Sequence, residues 1–151
     1  MIPVNTSVVS GVAIADIDGE PKILLLKRSK EGFWCHVAGK IEEGETGWQA
    51  IIREFHEETG IKVTSLYNAE YSEQFYESGK NRFMIIPSFV VFCEQNQAVT
   101  LNHEHTEYRW CSLQEAIERV PFPNQKHLYQ HVWQYFIENR PSEMMKIDLV
   151  A

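Results

Sequence analysis

Glu54, Glu57 and Glu58 place three carboxylates within one short stretch of chain. On a helix advancing about 100° per residue, with Glu54 at about 0°, Glu58 falls near about +40° and Glu57 near about −60°. The three acids therefore share one side. Trp48, Ile51, Ile52, Phe55 and Thr59 fall on the adjacent side, so one face packs and its neighbour carries charge. Like charges at i, i+4 destabilise a helix by roughly 0.2–0.5 kcal/mol per pair. Glu57 and Glu58 also lie near the helix C-terminus, where the dipole disfavours anions. Arg53, four residues before Glu57, relieves part of this. A cluster that costs stability invites a cation, and carboxylates suit hard divalent ions such as Mg²⁺ or Mn²⁺. For a bare E-x-x-E-E pattern the plain alternative is a solvated charged face.

The elements that must position these acids can be read from the pattern. Residues 46–59 read as a helix, with Thr46 as N-cap and Gly60 as its stop. Val8–Ile17 is β-branched and apolar, Asp18-Gly19 signals a tight turn, and Lys22–Arg28 reads as a second strand, making a hairpin. Phe33–Val37 is a short extended piece leading to Gly39, and residues 40–47 are loop-like. Tyr71–Tyr76 and Phe83–Cys93 read as strands around a polar turn. Glu107–Cys111 alternates as another strand. Ser112 caps a short helix to Arg119, and Asn124–Asn139 forms a longer one, with Asn124 as its simplest N-cap. Strands and helices mix without a regular βαβ alternation. The expected class is α+β, a mixed sheet with helices packed on it, in one domain over residues 1–151.

The segment Gly39–Ile61 resembles the Nudix box, G-x5-E-x7-R-E-U-x-E-E-x-G-U, where U is a bulky apolar residue. Gly39, Glu45, Arg53, Glu54, Phe55, Glu57, Glu58, Gly60 and Ile61 occupy every specified position. The resemblance implies an α/β/α sandwich with a mixed sheet. It implies a hydrolase that cleaves a nucleoside diphosphate linked to another moiety, with Mg²⁺ (or Mn²⁺) held on a loop–helix–loop. By the same resemblance Glu54, Glu57, Glu58 and the Gly39 carbonyl are metal ligands. Arg53 pairs with the carboxylates, and Glu45 fixes the loop or assists the metal site. The family's catalytic base is a box glutamate or an acid of a later loop; Glu104, just before the E-Y-x-W strand, is the expected choice and a further ligand, whereas Glu107 lies within the strand and is expected to pair with a neighbour. Arg28, at the end of the second strand, and Asn124 are expected to touch substrate.

Metal ions suit this chemistry because phosphoanhydride oxygens are negative. Charge neutralisation and activation of a bound water open the phosphorus to in-line attack. Phe33-Trp34, Gly44-Glu45-Thr46, Gln49-Ala50, Glu104-His105 and Tyr108-Arg109-Trp110 add a looser likeness to dATP and dihydroneopterin triphosphate pyrophosphatases. That likeness implies a nucleotide or pterin-type polyphosphate cut to a monophosphate and pyrophosphate. A Nudix-like binding or sensor domain without catalysis is the alternative, although such domains generally lose box glutamates. The family includes monomers and homodimers.

Composition bounds the rest. The chain has 151 residues, 44% apolar and 23% charged, with net charge −7. Six acids and two bases fall in Gly39–Ile61, so most of the negative charge sits in the box. The acidic balance argues against a nucleic acid polymer as partner. The longest apolar run, Phe83–Cys93, is too short to span a membrane, which takes about 20 residues. Cys35, Cys93 and Cys111 are odd in number and form no C-x-x-C pair, which fits a reducing cytoplasm. His127 and His131 have a zinc-like i, i+4 spacing but no third ligand in view, and read as surface residues. His103 and His105 flank Glu104 and read as loop residues, or else as substrate or proton-relay groups.

Overall fold

In the computed structural model, residues 1–150 are described. Their strands are β1 (Val4–Asn5), β2 (Val8–Ile17), β3 (Glu20–Arg28), β4 (Trp34–Cys35), β5 (Val37–Lys40), β6 (Leu66–Glu77), β7 (Arg82–Phe92) and β8 (His105–Cys111). The helices are α1 (Gly47–Thr59), α2 (Leu113–Arg119) and α3 (Pro123–Val132). All eight strands join one mixed sheet. β2 is its spine: it pairs parallel with β7 on one side and antiparallel with both β3 and β5 on the other.

The continuous apolar run of β3 follows from burial on both faces. Ile23 and Leu25 pack with Leu128, Tyr129 and Val132 of α3 and Ala116 of α2. Leu24 and Leu26 pack with Ala50, Ile51 and Phe55 of α1. β2 alternates in the same way, with Val12 and Ile14 on the first face and Val9 and Ala13 on the second. The sheet is therefore sandwiched between α1 and the α2–α3 pair, the expected α/β/α layering.

The expected hairpin turn and both ends of the first helix form. Asp18 and Gly19 both have positive φ, at 52° and 85°, as a tight hairpin turn requires. Thr46 caps α1 by accepting from the Gln49 amide, while Gln49 returns a bond to the Thr46 N–H. Gly60 ends α1 in the left-handed region at φ 71°.

Several features differ from the sequence reading. β6 begins at Leu66 rather than Tyr71, because a register shift between Asn68 and Ser72, with Glu70 at φ 54°, interrupts its alternation. Asn124 is not the N-cap of α3: Pro123 holds the first turn, Phe122 is the N-cap, and no side chain caps it. The helix expected to Asn139 is α-helical only to Val132 and continues as a π-helical turn, Trp133–Glu138.

β2 leaves β3 after its C-terminal half, pairing instead with β5 through Val8–Gly11. β3 meanwhile turns to β4 and β8. A cleft of about 640 Å³ lies at this fork, walled by β4, β5, β6 and the start of α3.

Candidate active site

The acidic side of α1 faces β5. Gly39 sits on β5 opposite Val9, and a Cβ there would overlap the Glu54 carboxylate. Only glycine permits that approach. Arg53 organises the loop before the helix. Its Nε and one Nη donate to both Glu45 oxygens at 2.7 and 2.9 Å, and the same Nη donates to the Lys40 carbonyl at 2.8 Å. The other Nη donates to Glu54 at 2.7 Å and to Glu57 at 3.3 Å. Glu45 also accepts from the Glu42 N–H at 2.9 Å, so its carboxylate is spent within the loop. The paired guanidinium holds the Glu45 carboxyl below the ordinary range.

The three helix acids occupy different environments. Glu57 is about half exposed, whereas Glu58 is 2% exposed. Burial first, and then the neighbouring Glu54 carboxyl, push the Glu58 carboxyl far above the ordinary range. Glu58 Oε2 is buried without a hydrogen-bond partner among the described residues. Its Oε1 lies 3.6 Å from His105 Nε2.

The loop before β8 completes this cluster. Ser29 donates its N–H to the Glu104 carbonyl at 2.9 Å and its hydroxyl to the His103 carbonyl at 2.8 Å. The loop is thereby fixed to the end of β3. Glu58, Glu104 and His105 each offer a ligand atom within 4.8 Å of the others. His105 is buried, and burial followed by the Arg28 charge lowers its pKa. Glu107 pairs with Lys27 at 3.4 Å.

The structure thus gathers Glu54, Glu58 and Glu104, with Gly39 behind Glu54 and Arg53 bridging Glu45, Glu54 and Glu57. It adds His105, whose burial the short strand reading hid. β8 starts at His105, two residues earlier than the sequence pattern suggests, and pairs it with Arg28 across a register shift at Lys27–Arg28. Arg28 lines the cleft mouth. It donates to Glu31 at 2.8 and 3.2 Å and lies 5.7 Å from the Phe33 ring centroid. Asn124 also lines the cleft, but both ends of its amide are used: it donates to the Gln74 carbonyl at 3.0 Å and accepts from the Tyr71 hydroxyl at 3.2 Å. His127 is exposed, while His131 meets the Ala69 carbonyl at 2.7 Å.

A second polar group, unread in the sequence, floors the cleft. Glu73 Oε2 accepts from the Ser10 hydroxyl at 2.7 Å and lies 3.0 Å from His36 Nε2. His36 Nδ1 meets the Tyr129 hydroxyl at 2.7 Å, and Ser10 meets Ser88 at 3.0 Å. His36 holds the Glu73 carboxyl below the ordinary range although burial opposes it. The bonded pairs are 37 to 93 positions apart, beyond the reach of any local pattern.

A family model, the NUDIX domain, matches residues 5–132. The chain belongs to the Nudix family. Among relatives, an octanoyltransferase of Myxococcus xanthus is 35% identical over 118 residues, 74% of this chain. The chain spans only 33% of that protein's length. The dihydroneopterin triphosphate diphosphatase of Escherichia coli is 30% identical over 116 residues, 70% of this chain and 77% of that protein. Among solved structures, a binary complex of an Ap4A hydrolase from Caenorhabditis elegans superposes with a TM-score of 0.78 at 24% identity, covering 89% of this chain and all of that one. That likeness concerns the fold, and it agrees with the sandwich described above.

Nudix hydrolases generally use a divalent metal, and this chain's residues fit one. Glu58 presents a buried oxygen without a partner among the described residues. The Gly39–Glu54 approach leaves no room for a side chain. The donors are oxygens and one imidazole, a set suited to hard or borderline divalent ions. Among the described residues, no helix is long and apolar enough to cross a membrane.

Proposed function

We propose that residues 1–151 form one Nudix domain acting as a Mg²⁺-dependent pyrophosphohydrolase, with Mn²⁺ able to substitute. It cleaves a nucleoside or pterin triphosphate to a monophosphate and pyrophosphate. The observation that carries this reading is Glu58, buried with an unpaired oxygen beside Glu54, Glu104 and His105. A protein that keeps such a group for packing alone loses about 1–3 kcal/mol to an unsatisfied polar atom.

Glu54, Glu57, Glu58, Glu104 and the Gly39 carbonyl would hold the metal. Bound there, Mg²⁺ neutralises phosphate charge and lowers the pKa of a bound water. Arg53 keeps Glu54 and Glu57 in place and ties them to Glu45, so the acids do not rearrange as substrate arrives. Glu104 is the exposed acid of the cluster and takes the proton of the attacking water. The water oxygen forms a bond to phosphorus as the bond to the leaving pyrophosphate breaks. Arg28, at the cleft mouth, binds the polyphosphate. Asn124 braces β6 against α3 beside the heterocycle. The free state of Cys35, Cys93 and Cys111 supports a cytoplasmic location.

The test is release of phosphate or pyrophosphate from dATP, GTP, 8-oxo-dGTP, dihydroneopterin triphosphate, ADP-ribose and diadenosine polyphosphates, each with Mg²⁺ and with EDTA. Mg²⁺-dependent pyrophosphate release from a triphosphate supports the reading. Failure on every substrate overturns it and favours a non-catalytic binding domain.

A further inference from the structure

The floor of the cleft carries acceptors without matching donors. Glu73 uses Oε2 on Ser10 and His36, leaving Oε1 with one long contact, 3.5 Å, from the Gln125 side-chain N–H. Gln125 thus turns its amide nitrogen toward Glu73. Its Oε1 is buried and has no partner among the described residues. Both residues line the cleft. A buried acceptor left empty costs free energy comparable to a lost hydrogen bond, so a ligand donor is the natural complement.

The surroundings fit a flat heterocycle. Phe33, Phe75, Tyr76 and Phe122 line the same cleft. Phe33 and Phe122 meet edge to face at 5.5 Å, and Phe75, Tyr76 and Phe122 expose much of their rings. Aromatic faces of this kind bind any base by stacking and choose among them poorly. Choice falls to the polar floor.

We propose that Glu73 and Gln125 are specificity-determining residues that select a heterocycle presenting two neighbouring N–H donors, the ring N–H beside a 2-amino group that guanine and pterins share. Adenine and cytosine present a donor beside a ring acceptor, and uracil presents a lone N–H between carbonyls. Each of these would leave one acceptor empty or set it against another acceptor. Asn124 serves as a positioning residue: its bonds to Gln74 and Tyr71 fix the start of α3, so Gln125 stays over Glu73. The inference rests on the hydrolase reading for its polyphosphate, but base recognition can be measured without turnover.

The experiment is calorimetric titration of the full chain in EDTA with GMP, IMP, AMP and UMP, repeated for Gln125→Leu and Gln125→Glu. A site built to pair with a donor rejects an analogue lacking it, so GMP should bind about tenfold or more tighter than AMP and tighter than IMP, which lacks the amino group. Gln125→Leu should bring the GMP to AMP ratio near one, and Gln125→Glu, which keeps an acceptor, should restore it. Guanosine against neopterin then distinguishes purine from pterin, either preference being consistent with the shared edge. AMP or IMP binding as tightly as GMP overturns the proposal, a result readable on the wild-type chain even if a variant misfolds. An unchanged ratio in a folded Gln125→Leu does so too. Selective GMP binding without turnover of any substrate of the panel in Mg²⁺ would sink the hydrolase reading and leave this one standing.

Discussion

Glu58→Gln should make the metal-free protein more stable while abolishing its activity. The wild-type carboxyl is 2% exposed, its Oε2 is unpaired among the described residues, and its Oε1 lies 3.6 Å from His105. The folded chain raises this carboxyl's pKa above the ordinary 4.5, through burial and then Glu54. Protonating a carboxyl of pKa about 4.5 at a pH of about 7 costs roughly 3.4 kcal/mol, which caps the penalty. The sign follows from proton counts: above pH 4.5 the folded state retains a proton that the unfolded chain has released. Stability is therefore greatest below that pH and falls as pH rises toward the elevated value. Glutamine carries no such proton, so the variant should gain about 1–3 kcal/mol at neutral pH, about 2–12 °C in Tm for a chain of this size. It should also lose most of that pH slope.

Mg²⁺ reverses the comparison. At about one hundred times its Kd, a ligand of the folded state adds about 2.7 kcal/mol. The wild type should therefore melt about 5–11 °C higher with Mg²⁺ than with EDTA. Most of that rise should vanish in the variant. Thermal melts from pH 5 to 8, with and without Mg²⁺, together with pyrophosphate release, form the assay. A variant that melts below wild type in EDTA, or that keeps the full Mg²⁺ rise, would refute the reasoning about Glu58.

Five further outcomes follow from the same geometry. Gly39→Ala places a methyl group against the Glu54 carboxylate and should remove both turnover and the Mg²⁺-induced rise in Tm; normal kinetics would contradict the close approach. Arg53→Lys cannot reproduce the fork to Glu45 plus the bonds to Glu54 and Lys40, and should cost about 1.5–3 kcal/mol, read by urea denaturation, with a fall in kcat larger than any change in KM. Ser10→Ala strips Glu73 of its shortest bond and should destabilise the fold by about 1–3 kcal/mol, while Thr46→Ala should cost about 1 kcal/mol through the lost cap. Burial raises the thiol of Cys35 to about 12 and that of Cys111 to about 11, so disulfide reagents at mild alkaline pH should react with these two only after unfolding; rapid native labelling of either would contradict that burial.

The legible parts of the molecule were those specified by neighbours in the chain. The strand Val8–Ile17, the Asp18-Gly19 turn and the capped helix α1 follow from short-range pattern and turn chemistry, and they form as read. Arg53 could be read as a partner of the carboxylates because Glu45, Glu54 and Glu57 lie within eight residues of it. Errors begin where tertiary contacts decide. The bulge at Glu70 hid the first half of β6, and Pro123 displaced Asn124 from the capping position. His36, Glu73 and Gln125 looked unremarkable in sequence. Their meeting depends on the fork of β2 and on α3 lying across it, which no local period encodes.

Ser29 fixes the Glu104–His105 segment to the far end of β3, so half of the acidic cluster arrives from a part of the chain well beyond the box. β2 likewise waits for its parallel neighbour, since Ser10–Ile14 pairs with Ser88–Phe92. On a ribosome adding about 5–20 residues per second, some 2–9 seconds separate the completed box from the emergence of Glu104. During that interval the nascent chain carries the whole motif and lacks a finished centre. The same separation makes the protein divisible: a break between α1 and β8 would yield two inert pieces, whose reunion could be followed by recovered turnover.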